Sequence, residues 1–355
     1  MINDEKIGAI KARLRRLGAD GFDCVIAVRG DKGLDELTKA IFDSSDSSLG
    51  ALMMASTPSL AAFLETGTAP DVSLIPDAKL ICGRIAVCGE AGAPDEFSAG
   101  CRAAMTGERF IVGGADLTEA LMRFEALDQC AQLTLEARLL GAEPKRVSEK
   151  HLAVYRLFVS TGLEAFTPKS RPDGEDEARE ELCRIVRLAC SDSLFGGAQG
   201  TISKRLSDGS FVITPYGSDR SSLTPEDLVL IESGRRESGK NPSRSALLHA
   251  AIYGKNPGVG SIICAHPQRI MAFAVTDAEL DAEKVGGTVV KFPFGASFMQ
   301  RELFAGEISS KPACILENDC VITTGKTPEE AYERLSALEF AAGARICSAI
   351  LTSGK

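Results

Sequence analysis

The stretch GSIICAHPQ, residues 260–268, places two metal-competent side chains two positions apart. An apolar run rises into Cys264, Ala265 and His266. On an extended strand, residues i and i+2 share a face, so Cys264 and His266 point one way and Ala265 the other. Thiolate and imidazole both bind zinc. Cysteine is also among the residues most often buried for packing alone, so a buried strand end is the competing reading. A second pair lies upstream in SRSALLHAAIY, where Ser245 and His249 stand four residues apart. On a helix that spacing brings them to one face, and His249 is then a candidate proton acceptor or a packed, hydrogen-bonded histidine.

These pairs must be held by an alternation of strands and helices. Short β-rich runs occur at CVIAV, GALMMA, FVIT, LVLIE, SIICA, TVVKFPF and ACIL, and helical patterns at 34–43, 115–140, 176–190, 243–254 and 327–350. The last opens with Thr327 as N-cap, Pro328 in the first turn, and Glu329 and Glu330 complementing the helix dipole. The start, MINDEKIGAIKARLRRLG, reads as an amphipathic helix without the apolar core of a signal peptide.

The 355 residues suffice for two domains of ordinary size. Hydrophobic residues make up 44% and charged residues 25%, as in soluble globular proteins, and the net charge of −9 argues against a general nucleic-acid surface. No continuous apolar run approaches a membrane span. The 11 cysteines are odd in number and lack a CxxC pair, so they read as buried free thiols in a reducing cytoplasm.

The chain also repeats itself. FIVGGADLTEALMRFEALDQCAQ lies over VITTGKTPEEAYERLSALEFAAG, with Ala120 on Ala331, Arg123 on Arg334 and Leu127 on Leu338, always 211 residues apart. Upstream, KAIFDSSDSSLGALMMASTPSLAAF lies over AAIYGKNPGVGSIICAHPQRIMAF, with Ile41 on Ile252 and Pro58 on Pro267. Two such matches in order favour an internal duplication. The expected division is 1–147, a degenerate and partial copy, and 148–355, the fuller one, with 148–175 as a polar linker and lead-in.

The second half resembles the class II aldolase/adducin family. GAQGTISKR (197–205), FVITPYGSDRSSLTPEDLVLIE (211–232), NPSRSALLHAAIY (241–253), SIICAHPQ (261–268) and CILENDCVITTGKTPEEAYERL (314–335) come in the family's order. The resemblance implies an α/β fold of three layers, a central and mainly antiparallel sheet flanked by helices, here present as two tandem copies. It also implies sugar-phosphate chemistry in which a divalent ion held by three histidines polarises a carbonyl while a carboxylate moves protons.

Residue by residue, that pattern fits unevenly. The His-x-His strand falls on Cys264 and His266, and the third ligand on Asp319 of Asn318-Asp319-Cys320. The acid/base carboxylate falls on Ser245. The phosphate positions fall on Thr201, Ser203, Tyr216, Gly217, Ser243 and Arg244. Arg244 is a strong bidentate phosphate donor or a filler of an abandoned site. Thiolate, imidazole and carboxylate could still hold Zn2+ or another divalent ion, with an absent or weakly held metal as the expectation. Ser245 is too weak a base to replace a carboxylate, and His249 is a weak candidate to do so. In the first half Thr38 takes the place of His249 and Thr57 lies near that of His266, so that half is expected to serve structure alone.

The expectation is a divergent, non-catalytic or catalytically altered scaffold that binds a phosphorylated small molecule. The alternative is a divalent-metal-dependent sugar-phosphate aldolase or epimerase with a rearranged Cys/His/Asp site. A homo-oligomer in the cytoplasm, with no nucleic-acid partner and no membrane span, completes it.

Overall fold

The structure, a computed structural model, describes residues 4–19, 24–159, 162–281, 289–308 and 311–353. They form two compact units, Met1–Leu135 and Glu136–Lys355. The division falls inside a continuous helix, before the expected 147/148.

The first unit runs α1 (Asp4–Arg16), β1 (Val25–Val28), α2 (Glu36–Ser44), β2 (Ala51–Ala55), α3 (Pro58–Thr66), α4 (Pro76–Cys82), β3 (Ile85–Val87), α5 (Ala93–Ser98), β4 (Ala103–Met105), β5 (Phe110–Gly114) and into α6 (Leu117–Leu139). Its helices start where side-chain chemistry dictates. Asp35 caps α2 by accepting from Thr38 N at 2.9 Å. Thr57 caps α3, with Pro58 in its first turn. The sheet order is β1-β2-β5-β4-β3, with β3 and β4 parallel and the other pairs antiparallel. Ile41, Phe42, Leu49, Leu52, Phe97 and Ile111 pack its core.

The second unit continues with α7 (Glu149–Val159), β6 (Ala165–Phe166), α8 (Glu175–Ser191), β7 (Thr201–Arg205), β8 (Phe211–Ile213), β9 (Val229–Glu232), β10 (Arg235–Glu237), α9 (Ala246–Lys255), β11 (Ser261–Ala265), α10 (Gln268–Ala274), β12 (Val289–Phe292), α11 (Ala296–Met299), α12 (Arg301–Glu307), β13 (Ala313–Leu316), β14 (Val321–Gly325) and α13 (Pro328–Ser353). The sheet order is β12-β13-β14-β11-β7-β8-β9-β10-β6, antiparallel except at β12–β13 and β10–β6. Helices α9 and α12 pack on one face through Leu248, Ile252, Phe304 and Ala305. Helices α8, α10 and α13 cover the other. This is the expected α/β architecture of a mainly antiparallel sheet between two helical layers.

The supposed linker is ordered more than its polarity suggested. It contains α7, whose Leu152 and Tyr155 are buried. One further correction concerns apolar length. Among the described residues, Pro328–Thr352 is one helix long and apolar enough, by length and composition, to cross a membrane, with a mean hydropathy of 1.3. Scattered charges such as Glu339 and Arg345 hid it as a continuous run. It lies along β11 and β14 and buries Ala331, Leu335, Leu338, Ala342 and Ile346, while Phe340, Ile350 and Leu351 on its other positions are exposed and only 22% of the apolar stretch is buried.

Candidate functional site

Cys264 stands at the end of β11, the central strand between β7 and β14. Its side chain is buried and shares the α9 face of the sheet with Ile262 and Ile322. There it meets His249 of α9, with Nε2 at 3.2 Å from the Cys264 sulfur. His249 Nε2 also lies 3.3 Å from Ser245 Oγ, so the spacing of four residues does bring the two side chains together. On the other side of the ring, Nδ1 lies 2.7 Å from Ser203 Oγ, which in turn lies 2.7 Å from the Tyr253 hydroxyl. His249 and Ser203 are completely buried. Burial without hydrogen bonds would cost each of these groups dearly, and the network satisfies them mutually.

The network extends through hydroxyls. Ser243 Oγ is 3.1 Å from Ser245 Oγ and 2.6 Å from Thr201 Oγ1. Two backbone loops hold these side chains. Ser243 N donates to Thr214 O at 3.0 Å, Tyr216 N to Asn241 O at 2.9 Å, and Pro215 bridges Pro242. The preceding turn needs Gly200, whose φ is +94° and whose absent side chain would lie 2.4 Å from the Phe195 ring. Buried Arg220 donates from Nε to Gly200 O at 2.5 Å, and burial pulls its guanidinium down to about 10.

Electrostatics at the inner end are set by a second cysteine. The Cys320 thiol donates toward Cys264 and, with His249 and Ser245, holds the Cys264 thiol below its ordinary range against the opposing effect of burial. Cys320 is pushed upward by the same bond and by burial. The sequence places Cys320 only in the segment around Asp319 and carries no signal for this contact.

At the outer end the Arg244 guanidinium carbon lies 5.3 Å from the ring centroid of Tyr216 and 5.9 Å from that of Tyr155. Such distances fit a cation against aromatic faces. Tyr155 comes from α7, in the segment whose polar sequence reads as linker and gives no sign of this contact.

The sequence-derived residues therefore separate. Thr201, Ser243, Ser245, His249 and Cys264 form one hydrogen-bonded chain, with Arg244, Tyr216 and Gly217 on the loops at its outer end. Ser203, assigned to the phosphate loop, is instead engaged by His249 and Tyr253. The expected metal set does not form. Among the described residues no three histidine, cysteine, aspartate or glutamate side chains converge so as to hold a metal ion. Cys264 is turned to His249 and Cys320, while Asp319 Oδ2 accepts from Ser297 Oγ at 3.4 Å. His266 lies just past the end of β11 and is half-buried. The resident groups thus do not fit the family's divalent ion.

Residues 180–346 match the family model described as Class II Aldolase and Adducin N-terminal domain. A 5-methylthioribulose-1-phosphate/5-deoxyribulose-1-phosphate aldolase of Rhodospirillum rubrum is 27% identical over 172 residues, which span 46% of this chain and 77% of that protein. A 3-oxo-tetronate 4-phosphate decarboxylase of Escherichia coli K12 is 27% identical over 180 residues, 46% of this chain and 84% of the relative. Among solved structures, the L-fuculose-1-phosphate aldolase of Thermus thermophilus aligns with a TM-score of 0.43 at 21% identity, over 50% of this chain and 97% of that one. Through its C-terminal unit, the chain belongs to the class II aldolase and adducin family.

Proposed function

We propose that the C-terminal unit is an aldolase-derived frame that binds a phosphorylated small molecule without the metal-dependent lyase chemistry of its relatives. The observation that carries this reading is Arg244, held against Tyr216 and Tyr155 beside the Ser243–Ser245–Thr201 hydroxyls. A planar guanidinium next to hydroxyl donors suits a phosphate ester. Against lyase chemistry stands Ser245, a hydroxyl at the position of the acid/base carboxylate. The alternative, an enzyme using another base, draws on His249 alone. Its two ring nitrogens both lie within hydrogen-bonding distance of buried protein groups.

We read the N-terminal unit as a truncated copy of the same domain. The order β1-β2-β5-β4-β3 parallels β7-β11-β14-β13-β12, including the parallel outer pair. Arg29 follows β1 and bonds Leu49 O and Phe42 O, with its guanidinium carbon 5.1 Å from the Phe42 ring centroid. Arg205 ends β7 and bonds Tyr253 O and Val259 O, 5.1 Å from the Tyr253 ring centroid. The separation is 176 residues for the two arginines but 211 for Phe42 and Tyr253, so 35 more residues intervene in the second unit. Those residues make β8, β9, β10 and the loops carrying Tyr216, Ser243 and Arg244. The first copy has Ala27, Thr38 and Met54 where the second has Ser203, His249 and Cys264.

Isothermal titration with ribulose 5-phosphate and inorganic phosphate tests the anion site. Charge-assisted contacts are worth about 1.5–3 kcal/mol, so Arg244→Ala is expected to weaken binding at least tenfold with the melting temperature unchanged. Unaltered affinity in that variant, or no binding by the wild-type protein, contradicts the reading.

A further inference from the structure

We propose that Tyr216 is the selectivity wall of this site, favouring phosphate monoesters with an apolar or aromatic organic part over those carrying only hydroxyls. The inference rests on the anion-site reading. Tyr216 is 52% exposed, although it sits in a loop pinned at both sides, by its own N–H to Asn241 O at 2.9 Å and by the Pro215–Pro242 bridge. The turn at Gly217, where φ is +73°, does not need an aromatic residue before it. A large ring held rigid and partly in water is poorly explained by packing. Rigid exposed aromatics supply contact area at low entropic cost.

The surroundings extend the apolar character. Behind Arg244 lies Tyr155, whose ring centroid is 5.8 Å from that of Phe298 and 6.3 Å from that of Phe294. Phe158 stacks on Phe298 at 4.6 Å. The guanidinium therefore stands between the exposed Tyr216 ring and an aromatic cluster. A phosphate bound to Arg244 puts its ester substituent beside Tyr216, where a flat apolar group gains contact and a polyol must give up hydration.

The test uses the full chain and calorimetry with phenyl phosphate, glycerol 3-phosphate and inorganic phosphate. Phenyl phosphate is expected to bind about tenfold more tightly than glycerol 3-phosphate. Tyr216→Ala should erase that preference, bringing the ratio of the two ester affinities to about one, Tyr216→Phe should retain the preference, and Arg244→Ala should weaken both esters. Equal wild-type affinities, or a preference that survives Tyr216→Ala, overturn the role of Tyr216 while leaving the anion site standing. Failure of all three probes to bind overturns the anion site and this inference with it.

Discussion

His249 Nε2 lies 3.2 Å from the Cys264 sulfur, and Nδ1 of the same ring lies 2.7 Å from Ser203 Oγ. A single imidazole thus ties the central strand β11 to its neighbour β7 from the helix α9 above them. Both of its ring nitrogens lie within hydrogen-bonding distance of buried protein groups.

The first prediction follows from that hub. His249→Ala removes a buried ring and takes one hydrogen-bond partner from each of Ser203, Ser245 and Cys264. Urea unfolding is expected to show a loss of about 3 kcal/mol or more, combining a cavity with unsatisfied polar groups. A variant as stable as the parent would mean that His249 serves chemistry alone.

A second prediction concerns Glu136, near the end of α6. Its Oε1 accepts from Gln268 Nε2 at 3.0 Å, while burial and the charge of nearby Glu339 push its carboxyl up to about 7, with Arg269 and Gln268 opposing. Because its folded value lies above the ordinary one of 4.5, the group contributes stability below pH 4.5 that is lost as pH rises through about 7. Glu136→Gln should therefore stabilise the protein at pH 8 and have little effect near pH 5. Melting curves of both proteins across that range test this, and an equal shift at all pH values would refute it.

Two glycines supply a third. A methyl group at Gly50 would lie 2.1 Å from Ala115 O, and one at Gly260 would lie 2.1 Å from Lys326 O. They precede the corresponding inner strands β2 and β11, and Gly50 N bonds Gly114 O as Gly260 N bonds Gly325 O, both at 2.9 Å. Alanine at either position should destabilise its unit by about 1–3 kcal/mol, the usual cost of overpacking. Denaturation read by hydrogen exchange in each unit checks whether the two sites behave alike, and a tolerated Gly50→Ala would weaken the case for a shared plan.

The fourth is chemical. The proposed reading puts Ser245 at the position of the acid/base carboxylate, and on it cleavage of fuculose 1-phosphate or rhamnulose 1-phosphate should run about 10²–10⁴ below an ordinary family enzyme, the typical worth of a general base. A coupled assay for the released aldehyde measures it, and turnover at the ordinary level would contradict the expectation.

Much of this fold was legible because periodicity survives where elements are long. The helices at 115–140, 176–190 and 327–350 and the strand SIICA reappear as α6, α8, α13 and β11 with small changes of bounds. Strands of three residues, such as β3 and β4, are too short to show alternation against their neighbours. Helix α7 was hidden by its exposed polar face next to a proline-containing connector, and Tyr155 with it. At the site, the i,i+4 rule placed Ser245 beside His249. Strand alternation could not place Asp319, since ligand convergence depends on loop geometry. Nor could it foresee that Cys320 would compete for the Cys264 thiol.

The most direct test of the account is the zinc content of the purified full chain after equilibration with excess zinc and removal of loosely held ions. Cys264 is committed to His249 and Cys320, and no three donors converge among the described residues. The account predicts far less than one zinc per chain, and no difference between the parent and Cys264→Ala. One tightly bound zinc per chain that disappears in Cys264→Ala would contradict it and restore a metal-dependent enzyme.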